Sequence, residues 1–431
     1  MPASARRWRQ HGSMMRAATF AFVATVAAFA GLACDQQKII PPGGAGGGAA
    51  GVGPGGAAGG AAGVGPGGAA GGAAGVGPGG AAGGTSGTGA LGGLVPSCAV
   101  DLSGYAGRHC AAYQDGSVWC WGPGHGVEDP TNFVPSATPM RVEGLPVVKQ
   151  VFVGPGRTCA AGDGAFQCWG DNDKAQIDDS GVSPLAPTSV ELDVGVIHVP
   201  RTGVGLGASE TCIVNAIAHV FCRGTDAAGV VHRPSQIGPL GQSPDTRIPG
   251  PLPYVIESGQ VYLIADWSHP ELLTFFGADN DSISPGSPSC VVKRDGTLWC
   301  TDYDLVDPCE LTPKAQLGAH ALRVGTGDLF LCSLSDDYRV WCEGWNPVGQ
   351  TGNGTESTFA AGAYVVGLTD VRVLSVGAYS ACALTGDGNV WCWGAYAEHQ
   401  TSNTPVRVSG CANQRVVPAL PVRSVGQSFK P

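Results

Sequence analysis

The chain reads as an all-β propeller of six blades, or seven, with cross-strand disulfides in its hairpins and a ring closed by the C-terminal strand. Three observations predict this. A phrase bounded by two cysteines recurs six times, with first cysteines separated by 49, 53, 78, 42 and 50 residues; a period near 50 made of short β-rich units is the mark of blades set around an axis. Within each phrase the side chains alternate about a central turn, as hairpin strands require. The ends of the repeat region also look like parts of one unit: residues 420–426 read as an opening strand with nothing after it, while Arg108-His109-Cys110 begins without an opener.

The N-terminus reads as an address. Residues 1–33 have a basic start, an apolar stretch over 17–33 and no acid, the tripartite pattern of a secretory signal peptide. The stretch is alanine-rich and weak as a membrane span. Gly31-Leu32-Ala33-Cys34 resembles a bacterial lipobox, in which the cysteine is diacylated and becomes the first mature residue. Leucine stands one place late for that motif, so ordinary cleavage after Ala28-Phe29-Ala30 is the competing reading. A twelve-residue unit, GVGPGGAAGGAA, then starts at Gly51, Gly63 and Gly75. It has almost no side chain to bury and cannot offset the entropy of ordering. A flexible coil of some fifty residues spans roughly 40 Å, enough to hold a folded body clear of a surface. The expected organisation is a signal peptide (1–33), a lipidated Cys34 with a disordered Gly/Ala-rich tether (34–97), and a propeller (98–431).

Charge and cysteine content narrow the surroundings. The formal net charge is −10; without the four arginines of residues 1–33, 20 basic residues face 34 acidic ones, a net of −14. Such a body repels phosphate backbones, so no nucleic-acid partner is expected. Sixteen regularly spaced cysteines favour an oxidising compartment.

The hairpins can be checked by counting. The pairs are Cys110 and Cys120, Cys159 and Cys168, Cys212 and Cys222, Cys290 and Cys300, Cys332 and Cys342, and Cys382 and Cys392. Nine residues separate the members in every pair but the second, which has eight. A three-residue loop such as Gln114-Asp115-Gly116 places the nine-residue cysteines opposite each other. A two-residue Asp163-Gly164 turn does the same for eight. Both registers put the cysteines at non-hydrogen-bonded positions, where Cα atoms approach to about 4.5 Å, within disulfide range. Six cross-strand disulfides follow, each contributing at most roughly 2–3 kcal/mol by the loop-entropy model. Zinc would prefer closer ligand spacing. Along VWCWG, Trp119 and Trp121 share one face and Cys120 takes the other; blades are covered on both faces, so the tryptophans read as core. Cys98 and Cys411 are candidates for a staple between the ends, with Cys98–Cys309 and Cys309–Cys411 as alternatives.

The periodic pattern resembles the RCC1 (regulator of chromosome condensation) repeat. The residues that carry it are Val371, Leu374, Gly377, Cys382-Ala383-Leu384, Gly388, Val390, Trp393 and Gly394. Trp345-Asn346-Pro347-Val348-Gly349-Gln350 with Gly352 adds to them, and Trp169-Gly170-Asp171-Asn172 with Gln176 is a looser copy. The family histidine has one counterpart, His109. The resemblance spans roughly residues 105–430 and implies a propeller, more often of seven blades. The count from cysteines is six. The long interval from Cys222 to Cys290 contains Gly259-Gln260-Val261-Tyr262 and Gly277-Ala278-Asp279-Asn280, which suit a degenerate blade, but its length favours an insertion. Guanine-nucleotide exchange, the activity of the best-known relative, sits poorly with export and acidity.

No catalytic motif stands out. The nine histidines (His11, His109, His125, His198, His219, His232, His269, His320, His399) show no metal-site spacing. Asp171, Asp173, Asp178 and Asp179 lack the glycine and terminal glutamate of a calcium loop. Neither a nucleophile elbow nor a phosphate loop is present, and no cofactor or metal is expected. The reading is an exported, lipid-anchored monomer. It faces the periplasm or the cell surface, or is secreted, and its irregular loops, such as residues 223–289, meet an extracellular protein or surface polymer. The alternatives are a structural envelope protein and a hydrolase or lyase acting on cell-surface polymers.

Overall fold

The computed structural model describes residues 97–122, 136–162, 165–190, 203–301, 311–313 and 320–411, apart from 216, 227, 239, 242, 244, 249–253, 265–266 and 398–399. The strands form seven antiparallel sheets in chain order. Blade one is β1 (Ala99–Tyr105), β2 (Arg108–Tyr113), β3 (Val118–Gly122) and β4 (Ser136–Arg141). Blade two is β5 (Val148–Gly154), β6 (Arg157–Gly162), β7 (Phe166–Gly170) and β8 (Leu185–Ser189). Blade three is β9 (Val204–Leu206), β10 (Glu210–Val214), β11 (Val220–Thr225) and β12 (Val231–Gln236). Among the described residues blade four has β13 (Tyr254–Glu257), β14 (Gln260–Leu263) and β15 (Glu271–Leu272). Blade five is β16 (Asn280–Ser284), β17 (Cys290–Lys293), β18 (Leu298–Thr301) and β19 (Leu311–Pro313). Blade six is β20 (Ala321–Thr326), β21 (Phe330–Ser335), β22 (Val340–Trp345) and β23 (Phe359–Tyr364). Blade seven is β24 (Val371–Val376), β25 (Ser380–Thr385), β26 (Val390–Ala397) and β27 (Gln400–Ser409).

Seven hydrophobic clusters hold the blades together, and each joins one blade to the next. Cys110 and Cys120 of blade one pack with Trp169 of blade two. Cys290 and Cys300 meet Trp341, and Cys332 and Cys342 meet Trp393. The last contact is between blades seven and one, where Cys382 and Cys392 meet Trp121 and Leu102. The alternation read from VWCWG thus has a use: in these four contacts one blade offers its disulfide to the next blade's tryptophan. Trp121, Trp169 and Trp393 are all buried. A buried aromatic of this size removes about 150–250 Å² from water, roughly 4–6 kcal/mol before entropic costs.

The glycine two places after the second cysteine has an equally local cause. Where the third strand pairs with the fourth, the register shifts at Cys120/Gly122, Cys168/Gly170, Cys222/Gly224, Cys342/Gly344 and Cys392/Gly394. These glycines have φ from 74° to 122°. A Cβ at Gly122 would lie 2.1 Å from Gly107 O, and at Gly394 2.4 Å from Tyr379 O. Both the left-handed conformation and the close approach exclude a side chain.

Two expectations are corrected. The interval from Cys222 to Cys290 is not a plain insertion but contains the three-stranded fourth blade, preceded by an isolated bridge between Arg247 and Ile256. The opening place of blade one belongs to β1, not to a C-terminal strand: Leu102 stands opposite Ala111 and Ser103 opposite Cys110. Residues 420–426 lie outside the described residues. What brings the ends together is the contact of blades seven and one, an Ala99 N–H donating to Gly388 O at 3.2 Å, and a disulfide between Cys98 and Cys411.

Candidate binding face

Up-and-down order gives the propeller two unlike faces. One carries the turns between second and third strands, which follow a single plan. In blade one, Tyr113 N–H donates to Ser117 O and Gly116 N–H to Tyr113 O, both at 2.9 Å, with Gly116 at φ 81°. Where glycine is missing, Ala218 and Tyr338 take the same conformation at φ 68° and 59°. Asn215 Oδ1 and Asp337 Oδ1 accept nearby backbone N–H groups in those turns. Asp163-Gly164 lies outside the described residues, but Gly162 N–H donates to Ala165 O across it. Acids on this turn face meet arginines: Arg294 with Asp245, Arg247 and Arg323 with Asp281, Arg339 with Asp337, and Arg372 with Asp370.

The opposite, loop face carries the links from first to second and from third to fourth strands. Two of its longer loops share one architecture. Asn172 Oδ1 accepts Ile177 N–H and Asn346 Oδ1 accepts Thr351 N–H, both at 2.9 Å. Gln176 Oε1 accepts Lys174 N–H, and Gln350 Oε1 accepts Val348 N–H. Both loops reach the next blade: Arg223 Nε donates to Ala175 O, and Trp393 Nε1 donates to Gln350 O, each at 3.0 Å. The asparagine and glutamine noted in the sequence therefore build loops. The neighbouring acids are engaged too, Asp179 with Arg223 and Arg233, Asp178 with Asn172 and Ser180. No grouping of three His, Cys, Asp or Glu suited to a metal ion occurs among the described residues.

Charge separates the faces further. Described loop-face connections carry Asp171, Asp173, Asp178, Asp179, Asp226, Asp328 and Glu356 and, among lysines and arginines, Lys174 alone; Arg223 and Arg233, which pair with Asp179, come from the strands of blade three.

Aromatic groups gather at two points on this face. Between blades three and four, the His232 ring stacks on Trp267 at 4.5 Å, and its Nε2 lies 2.8 Å from Asp226 Oδ2. That hydrogen bond holds the Asp226 carboxyl below its ordinary range. At blades six and seven, Trp345 and Tyr379 meet edge-on at 6.0 Å, Phe359 pairs with Trp345 across the strands, and Trp345 N–H donates to Leu329 O. The Tyr379 hydroxyl donates to Asp328 Oδ2 at 2.8 Å. Leu329, Phe359 and Tyr379 are exposed. Sequence reading missed this second cluster. A signal was there: the position held by Gly107, Gly156 and Ser209 in the first three blades holds Leu329 and Tyr379 in the last two.

The residues singled out from sequence take mainly structural places. The six sequential cysteine pairs are bonded with Cα atoms 4.0–4.1 Å apart. Cys98 bonds Cys411 at a Cα separation of 4.7 Å. Cys34, Cys309, His11, His125, His198 and His399 lie outside the described residues. His109 is fully buried; loss of hydration lowers its pKa to about 3, keeping it neutral, and its Nε2 lies 3.1 Å from Ser380 Oγ of blade seven. Arg108 Nη2 donates to Gly154 O, and Arg157 Nη2 to Glu210 O, so each arginine clasps the following blade. Burial lowers the Arg157 pKa to about 10, which leaves it charged at neutral pH, and raises that of Glu210.

Fold and faces define a class: a disulfide-stapled, seven-bladed β-propeller with one regular turn face and one acidic loop face. Residues 371–396 match the family model for the Regulator of chromosome condensation (RCC1) repeat, so the chain is a β-propeller that carries an RCC1 repeat in its seventh blade. No curated protein matches it. Among solved structures it is similar to human WBSCR16, at 15% identity over 73% of this chain and 82% of that one, TM-score 0.40. It is also similar to yeast RCC1 (Prp20), solved with Kap60, at 14% identity over 72% and 74%, TM-score 0.40. A third is the CRINKLY WD40 ectodomain of the Arabidopsis thaliana receptor kinase ACR4, at 14% identity over 72% and 97%, TM-score 0.38.

Proposed function

We propose that this protein is an exported binding module, anchored through a diacylated Cys34 and held off the membrane by residues 34–97, whose propeller presents its loop face to a partner. The observation that carries the reading is the asymmetry of the faces. The turn face repeats one short turn, whereas the loop face gathers irregular, acid-rich loops and exposed aromatic side chains. Specificity belongs on such variable connections, held by a rigid scaffold. The paired cysteines are consistent with an oxidising surrounding. The partner class is an extracellular protein or a surface polymer.

Two measurements test this. Photo-crosslinking residues placed at Ser180 and Glu356 on the loop face should capture host envelope material, while the same residue at Glu143 and Asp337 on the turn face should not. Crosslinks from the turn face alone would overturn the assignment. Non-reducing peptide mass spectrometry of protein from host membranes should show the cysteine pairs together with a diacylated Cys34; an intact segment 1–33 with reduced thiols would remove the export reading.

A further inference from the structure

We propose that the loop face at blades six and seven binds a basic segment of a partner protein, whose arginine or lysine side chains are received by Trp345, Tyr379 and Asp328. This rests on the loop face being the binding surface. Its starting point is Leu329. The residue has φ 60° and is 37% exposed. A residue with a Cβ adopts that conformation at a cost, and blades one and two place Gly107 and Gly156 there, at φ 92° and 67°. Folding alone favours glycine at this tip. Leu329 instead sets a large, partly exposed apolar side chain at this tip, beside Trp345.

The surroundings of Leu329 make a small platform. Its carbonyl accepts the Trp345 N–H at 2.8 Å, Trp345 lies opposite Phe359 in the ladder, and its ring meets that of Tyr379. Phe359 is 52% exposed and Tyr379 38%. Asp328 sits at the edge, bonded to the Tyr379 hydroxyl and, through its own N–H, to Ala378 O, so the carboxylate is fixed beside the rings.

Charge chooses the occupant. Aromatic faces attract cations, and a carboxylate beside them strengthens that preference for arginine or lysine. The neighbouring loops agree: the described loop-face connections of blades six and seven hold Asp328 and Glu356 and no lysine or arginine. A field of one sign draws opposite charge and repels like charge, so an anionic polymer is disfavoured. A neutral glycan would use the rings but draw nothing from the acids.

The test uses the full-length oxidised protein and a fluorescein-labelled arginine–glycine repeat peptide, read by anisotropy across a salt series. Saturable binding is expected, weakened about tenfold, ~1.4 kcal/mol, by Asp328→Asn, Tyr379→Ala or Leu329→Gly. The Leu329→Gly protein should melt at or above the wild-type temperature, which separates lost contact from lost fold. Asp337→Asn on the turn face should bind like wild type, and Asp173→Asn, away from the platform, should weaken binding less than Asp328→Asn. Equal losses at Asp173 and Asp328 would reduce the effect to diffuse attraction and overturn the proposal, as would no binding or tighter binding of a neutral dextran. If the peptide fails while loop-face crosslinks persist, the binding face stands without this occupant; if neither appears, both readings fall.

Discussion

Blades four and seven solve the same packing problem with different chemistry. Blade seven has four strands, the Cys382–Cys392 bond and a fully buried Trp393. Blade four has three strands, a two-residue Ser258-Gly259 turn and no cysteine; counting outward from that turn, the cysteine places are held by Tyr254 opposite Leu263. Both of those side chains are buried, and with Ile256 and Val261 they meet Ile283 and Val291 of blade five. Its opening strand shrinks to the Arg247–Ile256 bridge. The contrast teaches that the fold's requirement is an apolar pair facing the next blade. The disulfide is one way to meet it, and it adds a covalent staple.

The largest test of that view is Trp393→Ala. It removes a fully buried indole at the contact with blade six and strands Gln350 O, and should cost about 3–5 kcal/mol by denaturant unfolding. A loss under 1 kcal/mol would mean that blades do not depend on these faces. Next, replacing Cys382 and Cys392 together by alanine should cost about 2–3 kcal/mol and raise amide exchange in blade seven. A reductant should do likewise in the six stapled blades and leave blade four unchanged; equal loosening of blade four would contradict the comparison.

Acid should separate the contacts too. The contact of blades seven and one buries neutral His109, whereas blades four and five meet through an apolar cluster flanked by the partly exposed Arg247–Asp281 and Arg294–Asp245 pairs. The His109 pKa falls from 6.5 to about 3 on folding, so below pH 6.5 the unfolded chain binds the extra proton. Its contribution is complete above pH 6.5 and is lost as pH falls toward 3, by about 1.4 kcal/mol per unit. His109→Gln should flatten stability between pH 6.5 and about 4.5, above the range where lowered carboxyl groups titrate; an unchanged slope would exclude His109 as the source. The smallest effect is expected from Tyr254→Cys with Leu263→Cys. A new cross-strand bond should form in blade four, detectable by mass, with net stability changed by only about 1 kcal/mol, because lost apolar burial offsets the staple.

How far the sequence could be read follows from the same contrast. Cysteine spacing disclosed six hairpins because pairing across a turn is arithmetic, and VWCWG disclosed two buried faces because strands alternate. Blade four was harder: Tyr254, Leu263 and their neighbours are ordinary apolar residues, and no count distinguishes them from an insertion. β1 was missed because Ala99 and Asp101 stand where the seventh blade has Val371 and Val373, although Leu102 keeps the place of Leu374. The loop-face cluster depends on Leu329, which blade six itself brings beside Trp345, and on Tyr379, which reaches Trp345 only when blades six and seven meet. Its sole local trace is a large residue where other blades place glycine or serine.

The Cys98–Cys411 bond, 313 positions apart in sequence, has a topological consequence. It turns the propeller into a macrocycle, cradled at its junction by Gly388, where a Cβ would lie 2.6 Å from Cys98 Cβ and 2.8 Å from Cys411 Sγ. A protease that cuts once in any exposed connection between those cysteines opens the loop but releases nothing, since both pieces remain joined through sulfur. Nicked molecules would stay whole, and fragments would separate only on a reducing gel.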